Sequence, residues 1–157
     1  MEAKSVLIII AALGLSSHAA AFEVKGYTPG MDIAAADLNG CEKVENADSG
    51  IPGFSCDTSL GGDPATLRIG VFEDKVVALI FHVPNARMKP TLDALSEKYG
   101  RPSQNNRYIE DYNWRRGDLV MGIKEQQIRR GYSLLVMSTS LFKKAQAAAA
   151  AKAKKEI

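Results

Sequence analysis

Few residues in this chain of 157 can do chemistry. Cys41 and Cys56 are its two cysteines, and an even count in an oxidising compartment predicts one disulfide. Such a bond closes a loop of about 15 residues and contributes on the order of 3 kcal/mol in the loop-entropy picture. Metal binding would need more ligands nearby, and a redox pair would need C-x-x-C spacing, so no metal is implied. His82 stands at the end of an apolar strand pattern, where a lone histidine is more often partnered and structural than catalytic. There is no G-x-S-x-G elbow, H-E-x-x-H helix or glycine-rich phosphate loop. Glu110 and Asp111 are neighbours in a strand pattern, so they point to opposite faces and cannot form a carboxylate dyad. The chain therefore reads as a non-enzyme without a cofactor.

The material for binding is richer. From Arg107 the apolar period is two, which puts Tyr108, Tyr112 and Trp114 on one strand face, followed directly by Arg115 and Arg116. Tyrosine, tryptophan and arginine are the residues enriched at binding hot spots. Two placements remain open. Either these aromatics face a partner, or they face the core, and the partner surface is then Arg115, Arg116 and Asp118 in one turn with Arg129 and Arg130 in the next. In both cases the arginines are expected to group at hairpin tips. The expected partner is another protein, either of a bacterial envelope or an exported enzyme or toxin.

An address precedes these elements. Lys4, the apolar run Ser5 to Leu15 and the small residues ending in Ala19-Ala20-Ala21 have the form of a cleaved signal peptide, residues 1–21. Eleven apolar residues are too few to cross a bilayer as a helix, which takes roughly 20. The expected location is the periplasm or beyond, with no membrane span. Loss of Lys4 and Glu2 leaves the net charge at +2. Residues 142–157 hold five lysines and one glutamate, so the rest of the mature chain carries −2. A slightly acidic globule with a basic tail lacks the concentrated basic face of a nucleic-acid binder. The Ala/Lys-rich tail favours a helix and can touch anionic surfaces weakly, at about 1 kcal/mol per charge.

Residues 22–141 then form one α+β domain. Phe22 to Tyr27 alternates like a short strand, and Met31 to Leu38 carries a helical stripe stopped by Asn39-Gly40. Glu42 to Ser55 has no regular period and reads as a polar loop. Thr66 to Val83 reads as a hairpin turning at Glu73-Asp74-Lys75, its second strand apolar on both sides, with Val76, Ala78 and Ile80 opposite Val77, Leu79 and Phe81. Pro90 opens a helix that Gly100 closes. Further strands run from Arg107, from Leu119 to Glu125 and from Tyr132 to Thr139. The sum is an antiparallel sheet of about five or six strands with helices packed on one face, built from two helix-plus-hairpin units.

Three segments resemble one known repeat: Gly26-Tyr27-Thr28-Pro29-Gly30-Met31, the turn Phe72-Glu73-Asp74-Lys75-Val76-Val77, and the helix exit LSEKYGRP from Leu95 to Pro102. Together they resemble the β-lactamase inhibitor proteins and the small outer-membrane assembly lipoproteins of the SmpA/BamE type. The turn departs by carrying Lys75 where glycine is usual, and the lipid-anchoring cysteine is missing. The resemblance implies a protein-binding module whose open sheet face or loops hold the partner, and the chain as a whole is expected to inhibit an enzyme, neutralise a toxin or assist envelope assembly. The reading from another class is a small envelope hydrolase or ligand carrier.

Overall fold

The structure, a computed structural model, describes residues 21–106, 108, 110–127 and 130–156. The expected signal peptide, except Ala21, lies outside them, as does Arg129. Among the described residues eight strands form one antiparallel sheet in the order β1-β2-β3-β4-β8-β7-β6-β5. The strands are β1 (Cys41–Asp48), β2 (Ile51–Leu60), β3 (Asp63–Phe72) and β4 (Lys75–Pro84), then β5 (Ser103–Asn106), β6 (Asp111–Arg116), β7 (Leu119–Gln126) and β8 (Gly131–Ser138). Helix α1 (Lys89–Tyr99) follows β4, and helix α2 (Thr139–Lys155) follows β8.

This corrects the expected fold class on three counts. The number of strands is eight because residues 42–55, read as a loop, lie within the hairpin of β1 and β2, and because Ser103–Asn106 adds β5. Its turn, Ser49-Gly50, has positive φ at both residues, which is what a two-residue hairpin of right-twisted strands requires. Gly61-Gly62 and Glu73-Asp74 repeat that geometry, so three tight turns fold β1 to β4 into a meander. The units are also not helix plus hairpin. The stripe at Met31 to Leu38 yields only a 3-10 turn at Ile33–Ala35, and the expected strand at Phe22 to Tyr27 is a single bridge between Val24 and Tyr27. Finally, the helices lie on opposite faces of the sheet rather than together on one. Leu92, Leu95 and Tyr99 of α1 pack on the face of Leu79, Phe81 and Tyr132, whereas Leu141, Phe142 and Ala145 of α2 pack on that of Ala78 and Met137.

Two-sided coverage follows from β4, which is apolar in both directions and pairs with β3 and β8. A bulge shifts its phase. Gly70 opposes Ala78 and Val71 opposes Val76, so Val77 is the extra residue. Val76 thus joins Leu79, Phe81 and Val83 on the first face, and Val77 joins Ala78 on the second, which alternation alone could not show. At β4's first residues, where β8 has already turned away into α2, the amino-terminal segment takes the neighbouring place. Gly30 N donates to Val76 O (2.7 Å), Val76 N donates to Met31 O (2.9 Å), and Lys75 pairs with Asp32 (2.7 Å).

The first face is sealed by residues 22–38 and α1. Phe22 is fully buried edge-on to Tyr99, with 5.2 Å between ring centroids, and Thr91 shares a 2.6 Å hydrogen bond with Tyr132. The disulfide Cys41–Cys56 spans directly opposed residues of β1 and β2, tying the outer strand to its neighbour. Both sheet edges are poor templates for added strands. β1 carries Glu42, Lys43 and Glu45 and is irregular between Val44 and Asp48, and β5 is four residues long.

Helix α2 is held by the β6–β7 turn. Asp118 accepts hydrogen bonds from the hydroxyls of Ser138, Thr139 (2.6 Å) and Ser140 (2.8 Å) and from Ser140 N (2.9 Å). Those bonds, the Ser138 hydroxyl foremost and Thr139 next, hold its carboxyl well below the usual carboxylate range. A lowered folded value means stability that is complete above the ordinary 3.8 and is lost as pH falls through the folded value. Asp118→Asn should therefore melt at a lower temperature than the parent at pH 7, and the gap should close only in strong acid. Thermal melts followed by circular dichroism across that range check this; equal melting at pH 7 would show that the turn does not hold α2.

Candidate functional site

Helix α2 covers only part of the second face. Its apolar side sits on Ile51, Phe72, Val77, Ala78, Leu135 and Met137, toward one end of the strands. Toward the other end no described helix lies over the sheet, and the side chains turn polar. One row crosses four strands in register: Thr66 of β3, His82 of β4, Ser133 of β8 and Lys124 of β7. The next row outward holds Pro84, Gly131 and Gln126. Gly131 lies so close to β4 that a Cβ there would stand 2.3 Å from Val83 O. With no side chain at that place, Gln126 can reach back over the sheet. Thr66, Arg68, His82, Pro84 and Gln126 line the resulting cleft, of about 490 Å³.

Its floor is a hydrogen-bonded cluster. Gln126 Nε2 donates to Ser133 Oγ at 2.6 Å and lies 3.1 Å from His82 Nδ1, which is 3.0 Å from Ser133 Oγ. An amide NH₂ only donates, so Nδ1 accepts and the imidazole carries its proton on Nε2. Half-burial lowers the affinity of this ring for a second proton, and the nearby Arg68 guanidinium lowers it further. His82 is thus neutral at pH 7, with Nε2–H as its donor. Ser133 Oγ against His82 Nδ1 has the spacing of a serine and its base, but among the described residues no carboxylate bonds this ring.

The residues singled out from sequence are distributed otherwise. Trp114, 5% exposed, donates from Nε1 to Gly100 O (2.7 Å), and Tyr112 is half-buried beside it, so both belong to the first-face core. Arg116 lies over the rings of Phe22 and Tyr99, 5.3 and 5.1 Å from their centroids. Tyr108 does not share their strand; it stands 95% exposed in the β5–β6 connection. Arg115 is exposed and paired with Val120, which puts it on the second face in the row of Met137 and Ala78, at the α2 end and away from the cleft. Arg130 is exposed in the β7–β8 turn. Arg115 and Arg116 do not converge with Arg130 at one tip, because successive hairpins point in opposite directions and the length of β7 separates them. Cys41 and Cys56 form the expected disulfide. The sequence reading missed Thr66, Arg68, Gln126 and Ser133, whose one signal was polar residues alternating within apolar strands.

Acidification should expose the strain on His82. The unfolded chain takes up a proton near the ordinary 6.5, before the folded one does, so the fold loses stability as pH drops through that value. The Cε1–H resonance of His82 should titrate below 6.5, and Arg68→Gln should raise the midpoint while burial keeps it under the ordinary value. A midpoint at or above 6.5 in the parent would refute the neutral assignment. Compared with known proteins, the chain matches no family model, no curated protein and no solved structure.

Proposed function

We propose that this chain is an exported module that acts by binding another protein, with the uncovered half of its second sheet face as the docking surface. The occupant is an acidic segment of that partner. The observation that carries this reading is the asymmetry of the sheet: one face is sealed, and the uncovered half of the other presents Thr66, Arg68, His82 and Gln126 around a cleft, with Lys124 in the same row. Around the cleft itself the one lining charge is Arg68, exposed and without an ion pair among the described residues, whereas Lys124 directly opposes Asp111. That uncompensated guanidinium favours a negatively charged group of the partner. Blunted edges favour docking on the face over addition of a strand.

Export is supported by the signal-like amino terminus and the Cys41–Cys56 disulfide. Among the described residues no helix is long and apolar enough to cross a membrane. Inhibition of an enzyme, neutralisation of a toxin and assistance in envelope assembly are all roles such a module performs. The Ser133–His82 contact favours a second reading, a small envelope hydrolase or ligand carrier working in the same cleft. Turnover of an ester by the purified protein, abolished in Ser133→Ala, would establish that second reading.

The decisive experiment is capture from an envelope extract on tagged protein, with Arg68→Glu/Lys124→Glu as control, followed by calorimetry on the purified pair. The expected result is one acidic protein retained by the parent, whose affinity falls at least about tenfold in the double variant. Equal affinity for both folded forms would remove the second face as the docking surface.

A further inference from the structure

We infer that the cleft bounded by Thr66, Arg68, His82 and Gln126 is an anchor pocket for a single carboxylate, an Asp or Glu side chain of the partner protein. This rests on the docking reading above and names the group that enters the cleft.

The argument is one of donors and charge. Every polar side chain lining the cleft can donate, and none is a carboxylate. Gln126 and Ser133 are spent on one another and on Nδ1 of His82, which fixes the ring and leaves Nε2–H as a neutral donor. The Thr66 hydroxyl belongs to the residue directly opposite His82. Arg68, two residues along the same strand, is exposed and makes no ion pair among the described residues. It is close enough to the imidazole to disfavour a second positive charge there. A planar guanidinium suits a planar carboxylate, which it can hold through two parallel hydrogen bonds. The charge count selects a monoanion, because the lining offers one full positive charge beside neutral donors. A phosphate with nearly two negative charges would call for a second cation.

The test is a nuclear magnetic resonance titration of the full chain with N-acetylglutamate N-methylamide, which presents one side-chain carboxylate on a peptide-like frame. Its amide counterpart, N-acetylglutamine N-methylamide, is the neutral control, and inorganic phosphate is the competing anion. The expected result is saturable shifts at His82 and Thr66 with the glutamate probe, none with the glutamine probe, and a weaker response to phosphate. Arg68→Gln should weaken the glutamate probe by about tenfold or more, as loss of a charge-assisted hydrogen bond implies. Unchanged amide spectra away from the cleft show that this variant is folded. No saturable shift, equal shifts with the neutral probe or in Arg68→Gln, or tighter binding of phosphate would each overturn the inference. Failure here, with a captured partner that still depends on Arg68 and Lys124, would leave the docking face standing. A carboxylate response without a captured protein would instead overturn the protein-binding reading and leave a small-anion carrier.

Discussion

The pairing of β4 with β8 is the constraint on which the molecule depends. It is the one seam between two four-stranded meanders, and every residue of it from Ala78 to Pro84 is matched in register. At this seam the sheet is apolar on both sides, with Phe81 and Leu134 facing one way and Ala78, Leu135 and Met137 the other. Apolar area on both faces must be removed from water twice, at roughly 25 cal/mol per Å² of surface buried. One helix cannot do that, so α1 closes one side and α2 the other. The bulge at Val77 adjusts this division by sending one more apolar residue to α2's side.

How much of this was legible depended on whether the information was local. The hairpin of β3 and β4 could be read because alternation and a charged turn lie together in one stretch, and α1 because Pro90 and Gly100 bracket its apolar stripe. β1 and the start of β2 escaped notice because an edge strand buries little, and its charged residues make it look like a loop. The stripe from Met31 to Leu38 had the right period for a helix, yet backbone groups there bond to Asp74 and Val76 instead. Tertiary pairing prevailed over a weak local preference. The bulge was invisible for a related reason: nothing in the run Val76-Val77-Ala78 says which residue is unpaired.

The candidate site was still less legible. Thr66 and Ser133 are far apart in the chain and come to flank His82 only because β4 pairs with both β3 and β8. His82 drew attention by being a histidine; its partners did not, being a serine and a glutamine of the sort found in any strand. The aromatic and arginine cluster had the composition of a hot spot, yet Trp114 and Arg116 are occupied within the fold, on Gly100 and on the rings of Phe22 and Tyr99. Composition shows which residues are able to bind. Which of them are free to do so is settled by the sheet's faces.

The place of β8 has a consequence for the order of events during folding. The last strand of the chain lies at the centre of the sheet, between β4 and β7. A chain that folds as it emerges amino end first can build the β1–β4 meander early, since its contacts are local. The edge of β4 from Ala78 to Pro84 has no partner strand until roughly fifty more residues have followed. The sheet is complete only when β8 takes its place between β4 and β7, and α2, which follows β8 directly, then reaches the second face. The same step joins Ser133 to His82, so the cleft and the finished fold come into being together.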